Sequence, residues 1–206
     1  MCHRIVPVQM DELQMALDLY ATTGHARIPK DNPVPKDVYP GAKLATVVKG
    51  RGGALKAQEL IWGFASTQPK RQGRVFNTRI ETALSQLQEG YGMWVNPITR
   101  GRCLVPVRAF YESWTEPGSP APDGKVAVRF TSKGHRIFLL AAVMKDGEVS
   151  IVTCPPNGDV GPVHSRMPLV LGPGESSIWL GPGFPKLADR SQIHLAAETI
   201  LPLQKG

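Results

Sequence analysis

Cysteine is scarce in this chain: three among 206 residues, at positions 2, 103 and 154. The number is odd, the spacing is wide, and no CxxC pair or HxxxH cluster accompanies them. That excludes a disulfide framework and a structural zinc site. It fits a reducing, cytoplasmic compartment, nucleoid-associated if the source is bacterial. No apolar h-region stands at the N-terminus, so no secretory signal is expected. No apolar run approaches the length of a membrane span, so no membrane partner is expected either. Acidic side chains are the minority: 17 Asp and Glu against 24 Lys and Arg, a formal charge of +7. Such an excess favours an anionic partner, whether nucleic acid, an acidic membrane surface or an acidic substrate. Plain solubility is the alternative. Repeats and low-complexity tracts are absent.

Glycine (21) and proline (19) are plentiful, which argues for many turns and few long helices. The length suits one domain over residues 1–206 with a sizeable core. A short amphipathic helix is expected over residues 11–20, capped by Asp11, with Leu13, Leu17 and Tyr20 on one face. Strands are expected over 44–48 and, after a turn at 50–53, up to about Trp62-Gly63-Phe64. A helix is expected over 79–87. Two strands, 103–107 and 110–114, should flank a bend. Strands over 126–131, 137–144 and 149–153 follow, then a loop over 155–162, a short strand at 169–171, a short helix at 175–180 and a last strand at 199–203. The sum is an α+β, β-rich single domain, with a curved or barrel-like, mainly antiparallel sheet and short peripheral helices.

Chemistry enters at the second residue. Loss of Met1 makes Cys2 the N-terminus, with an amine and a thiol on adjacent carbons. The amine condenses with an aldehyde to an imine, and the thiol closes on that imine to give a five-membered thiazolidine. The amine, at a reference pKa of about 7.7–8.0, is partly neutral near pH 7. The thiol, at about 8.5, needs local activation to ionise. The bland alternative is an accident of position.

Three further stretches place polar residues in apolar or rigid settings. In Asn77-Thr78-Arg79-Ile80-Glu81, either Asn77 or Thr78 caps the helix and Glu81 serves its first turn, or Asn77 donates to a substrate oxygen and Arg79 grips phosphate. In Phe110-Tyr111-Glu112-Ser113-Trp114, alternation puts Glu112 on one face with Phe110 and Trp114, and Tyr111 on the other. An inward carboxylate there has a raised pKa and suits general acid catalysis; an outward one is ordinary. His164 lies in a loop bounded by Gly and Pro, where rigid backbone can hold it for proton transfer, and Arg166 follows it.

Met1-Cys2-x-Arg4, Asn77-x-Arg79-x-Glu81-Thr82, Arg102-Cys103-Leu104-Val105-Pro106 with Phe110-Tyr111-Glu112, and His164-x-Arg166-Met167-Pro168 stand in the order of the signatures of a known family. The chain resembles the SRAP (SOS response-associated peptidase) family, which includes sensors of abasic sites in single-stranded DNA. The resemblance spans nearly the whole chain. It implies a covalent DNA–protein crosslink. Cys2 attacks the sugar aldehyde, Asn77 holds the amine end or the sugar oxygen, Glu112 is general acid/base, and His164 shuttles protons. Arg4, Arg79 and Arg166 contact phosphates, and Thr153 lines the pocket. Self-cleavage exposing Cys2 belongs to the same family logic. Abasic single-stranded DNA is the implied partner. No cofactor and no metal are implied, and a monomer is expected.

The chain departs from the family pattern in three places. His3 stands where Gly is usual, and Val107-Arg108-Ala109 where Ala-Asp-Gly is usual. Ala65-Ser66-Thr67-Gln68 replaces a segment with a proline and a tryptophan. Weaker base stacking there shifts the expected DNA contacts to Lys70, Arg71 and Arg74. Two other readings stand beside this one: an N-terminal-nucleophile cysteine amidohydrolase, and a non-catalytic single-stranded-DNA-binding module.

Overall fold

The structure is a computed structural model that describes residues 2–25, 36–66, 73–115 and 125–200. Its elements are β1 (Arg4–Pro7), α1 (Met10–Thr23), β2 (Lys43–Lys49), β3 (Leu55–Trp62), β4 (Phe64–Ala65), β5 (Arg74–Val75) and β6 (Asn77–Arg79). Then come α2 (Ile80–Glu89), α3 (Val95–Arg100), β7 (Arg102–Thr115), β8 (Lys125–Ser132), β9 (Phe138–Lys145) and β10 (Glu148–Cys154). β11 (Met167–Pro168), β12 (Val170–Leu171), α4 (Glu175–Leu180) and β13 (Leu195–Ile200) complete the set. Short 3-10 turns occupy Arg51–Gly53 and Phe184–Leu187.

The large sheet runs β12-β9-β10-β3-β2-β7-β8-β13, and an extra β9–β7 pairing closes its middle five strands into a ring. Most pairings are antiparallel; β10 pairs in parallel with β3 and with β6. This is the β-rich α+β architecture with a barrel-like sheet. Phe110 stacks on Phe130 at 5.1 Å, and the buried Trp179 indole donates to the Cys103 carbonyl at 2.9 Å.

β7 is the strand on which the rest is arranged, and it corrects a sequence expectation. Residues 102–115 form one strand, not two around a bend. The polypeptide instead changes partners along its length. Residues 102–107 pair with β9, and 110–115 with β8. The opposite edge carries β1, whose register slips between Val6↔Ala109 and Pro7↔Val107. Arg108 is the extra residue of that bulge. Its buried guanidinium makes two hydrogen bonds to the buried Glu12 carboxylate, at 2.7 and 3.2 Å.

Two helix starts also differ from the sequence reading. α1 begins at Met10 with Gln9, not Asp11, at the cap. The Gln9 N–H donates to Glu12 Oε2 at 2.9 Å, so one carboxylate serves both the cap and Arg108. α2 begins at Ile80, with Arg79 as the capping residue. Asn77 and Thr78 do not cap it, because their backbone is spent on parallel pairing with Ile151 and Val152 of β10. That pairing leaves the Asn77 side chain free for the site. The short strand expected at 169–171 is split into β11 and β12 around Leu169, whose N–H donates to Val152 O at 2.8 Å. The last strand comes earlier, at Leu195–Ile200; residues 201–203 lie outside the described residues. β1, α3 and the 3-10 turn at Phe184–Leu187 have no counterpart in the sequence reading.

Candidate active site

Four separate elements bring four side chains together. Cys2 precedes β1, Asn77 opens β6, Glu112 lies on β7, and His164 sits in the loop between β10 and β11. β1 lies alongside β7 in the register Arg4↔Tyr111, which carries Cys2 toward Glu112. β6 lies beside β10, which carries Asn77 to the same end of the barrel. There Asn77 Nδ2 donates to the Cys2 carbonyl at 2.8 Å. The bond fixes the main chain of the nucleophile, not its sulfur. Asn77 Oδ1 is buried and has no hydrogen-bond partner among the described residues.

Glu112 is 2% exposed. Phe110 on the same face is buried in the main core, whereas Tyr111 packs with Val6 and Ala109 on the other face. Removal from water pushes the Glu112 carboxyl up to about 7. Its Oε2 lies 3.9 Å from His164 Nε2. His164 Nδ1 lies 3.0 Å from the Arg166 N–H and 3.1 Å from the Arg166 carbonyl oxygen, so it accepts from the first or donates to the second according to the tautomer, while Nε2 faces the carboxyl. Partial burial pushes the His164 pKa down, so the ring is neutral at neutral pH. The site therefore holds a carboxyl with a raised pKa next to a neutral imidazole, a pair suited to passing one proton either way.

The Cys2 thiol is wholly buried, and its pKa is pushed well up, first by burial and then by the Glu112 charge. The Arg4 and Tyr111 backbone pull it down, but less than burial and Glu112 push it up. The sulfur stays protonated, so a reaction that forms a C–S bond has to hand the proton to a base.

The other residues singled out in the sequence fall into distinct settings. Thr153 is buried; its Oγ1 accepts from Arg166 Nη2 at 3.2 Å, and its carbonyl accepts from the same nitrogen at 2.9 Å. Arg166 also forms a bidentate ion pair with Glu81 in the first turn of α2, and this hydrogen bonding holds the Glu81 carboxyl low. Arg166 thus braces the His164 loop against β10 and α2. Arg4 is ion-paired with Asp37 at 2.5 Å and lies over the Tyr111 ring at 4.0 Å. Arg74 pairs with Glu148 at 2.5 Å and caps the Gly63 carbonyl. Arg79 is exposed at the end of β6. Lys70 and Arg71 lie outside the described residues. Asp37, which also accepts from the Tyr111 hydroxyl at 3.3 Å, was missed in the sequence. A single acidic residue in a proline-rich stretch carries no local signal.

Among the described residues, no group of three or more His, Cys, Asp or Glu side chains could hold a metal ion. None of their helices is long and apolar enough to cross a membrane.

A family model described as SOS response associated peptidase (SRAP) matches residues 1–200. The chain is 25% identical over 158 residues to the Abasic site processing protein YoqW of Bacillus subtilis strain 168. It is 24% identical over the same length to the Abasic site processing protein YoaM of that organism. These matches cover 71% of this chain but only 66% and 65% of the relatives, just under two thirds of their length. Among solved structures, a phage-related protein from Bordetella bronchiseptica superposes with a TM-score of 0.68 at 20% identity, over 97% of this chain and 94% of that one. A protein from Bacteroides thetaiotaomicron gives 0.64 at 18% identity, over 97% and 92%. At these identities the structural likeness shows a shared fold.

Proposed function

The chain belongs to the SRAP family, and from that premise we propose that it processes abasic sites in single-stranded DNA by crosslinking to them through Cys2. The names of its curated relatives, abasic site processing proteins, support the substrate. The convergence of Cys2, Asn77, Glu112 and His164 from four distant segments supports the chemistry, and the Asn77–Cys2 bond is the single observation that carries it.

Cleavage of the Met1–Cys2 peptide bond frees the Cys2 amine. The amine attacks C1′ of the ring-opened sugar, and the resulting hydroxyl leaves as water, protonated by Glu112 or by His164 acting through it. The imine carbon then accepts the thiol sulfur. A C–S bond forms, the C=N π pair moves onto nitrogen, and the sulfur's proton passes to that nitrogen by way of the Glu112 carboxylate. Hydrolysis of the Met1–Cys2 bond takes up one water, imine formation releases one, and no redox partner is required. The unpaired Asn77 Oδ1 suits an acceptor role toward the amine or a sugar hydroxyl. Ring closure removes the C=N electron sink that would otherwise drive β-elimination and strand cleavage, so the lesion is shielded, not nicked. A buried, protonated thiol is ill suited to amide hydrolysis, which calls for thiolate.

The test mixes the purified protein with a single-stranded abasic oligonucleotide and reads adducts on a denaturing gel. The native chain should give a heat-stable adduct with an intact mass lacking Met1, and Cys2→Ser should not, because oxygen closes poorly on the imine. Adducts of equal stability from both would contradict the thiazolidine.

A further inference from the structure

We propose that His3 and Tyr39 form an aromatic ledge at the mouth of the Cys2 site that stacks the unpaired base next to the abasic nucleotide. The inference rests on the DNA reading above and extends it to a contact with a base.

Both rings are exposed, Tyr39 to 51%. Their centroids lie 6.4 Å apart with planes tilted by 40°. That is within range of an aromatic pair, but the faces are not laid on one another, and the exposed Tyr39 keeps ring surface in solvent for a third flat group. His3 adjoins the nucleophile in sequence. Tyr39 is tied to the same strand across space. The N–H groups of Ile5 and Val38 donate to each other's carbonyls at 3.2 and 2.9 Å. One residue further out, Arg4 and Asp37 close the ion pair at 2.5 Å. On the far side the Gly41 N–H donates to Trp62 O at 2.8 Å. The ledge is therefore anchored on both flanks and does not have to be ordered when a ligand arrives, which favours affinity.

The chemical class follows from the surroundings. A half-exposed tyrosine with an imidazole beside it offers π-faces and no base-reading fork, so it takes any base and reads no sequence. Duplex DNA keeps its bases stacked on each other, whereas a single strand with a gap at the abasic position leaves the neighbouring base short of a stacking partner. The ledge supplies that partner, with His3 the residue next to Cys2 in the chain.

The test uses a single-stranded oligonucleotide with a tetrahydrofuran abasic analogue, which has no aldehyde and cannot crosslink. A 2-aminopurine sits on one side of it or the other. The full chain should quench the fluorescence at one flank. Tyr39→Ala should lose most of that quenching and bind roughly ten- to a hundredfold more weakly, the scale of one base–aromatic stack. Tyr39→Phe should restore both, and His3→Ala should lose part. Quenching by Tyr39→Ala equal to that of the native chain, or failure of Tyr39→Phe to restore it, would overturn the ledge. The aldehyde-bearing oligonucleotide reads the Cys2 chemistry separately. An adduct without Tyr39-dependent quenching sinks the ledge alone, and quenching without an adduct sinks the crosslinking reading while the ledge stands.

Discussion

Burial raises the Glu112 carboxyl from 4.5 to about 7, so between those values the folded chain holds a proton there that the unfolded chain has released. More protons on the native state means that stability falls as pH rises through this window. Below pH 4.5 both states are protonated and Glu112 costs nothing. Above 7 the full penalty applies, on the order of 3 kcal/mol. Glu112→Gln keeps the shape and removes the charge. It should therefore be more stable than the native chain at pH 8, by up to about that amount, and indistinguishable from it near pH 4. Urea unfolding at the two pH values checks this; the same difference at both would mean that the carboxyl does not titrate in the fold. The same variant should slow crosslinking, because the amide cannot accept the thiol proton. A residue that makes the fold less stable and the reaction faster is one the site keeps for its chemistry.

Among the elements, α1 and β7 are joined by a charge pair where an apolar contact would be ordinary. Arg108 and Glu12 are both buried, and Glu12 also accepts from the Gln9 N–H. Arg108→Ala leaves a carboxylate out of water with no guanidinium, and should cost about 3–5 kcal/mol in chemical denaturation. Arg108→Met with Glu12→Leu removes both charges and should recover most of the loss, apart from the helix cap. A loss under about 1 kcal/mol for Arg108→Ala would mean that Glu12 finds water. The same region shows the limits of the linear pattern. Val107-Arg108-Ala109 looks like a bend in one dimension, since a charge interrupts two apolar runs. In the fold it is a bulge, and the strand continues because β9 hands over to β8 beside it. Asn77 and Thr78 look like helix caps for a parallel reason: they precede an amphipathic run, and nothing local announces that β10 will claim their backbone.

Over the whole molecule the formal charge of +7 supplies affinity for a polyanion without reading sequence. Arg4, Arg74 and Arg166 are ion-paired with Asp37, Glu148 and Glu81, so these three add nothing to that excess. The exposed Arg79 is differently placed. Binding to single-stranded DNA should weaken with salt, and Arg79→Ala should reduce the slope of log K against log salt by about 0.7, the share of one phosphate contact. Arg74→Ala should act mainly by loosening the β4–β5 pair and leave the slope nearly unchanged. Equal slopes for native and Arg79→Ala chains would remove Arg79 from the phosphate path.

Sequence alone determined what depends on neighbours within a few residues. Alternation along β7 placed Glu112 on the face of Phe110 and away from Tyr111, and hydrophobic patterning located β2, β3 and β8 to β10. The order of four motifs pointed to the family. Tertiary structure alone decided which atoms meet. The amide of Asn77 reaches the Cys2 carbonyl across 75 positions of chain, Arg108 finds Glu12 across 96, and Arg166 braces the His164 loop on Glu81 across 85. Such contacts follow from strand register and barrel closure, which many distant pairings set jointly, so no local stretch of residues encodes them.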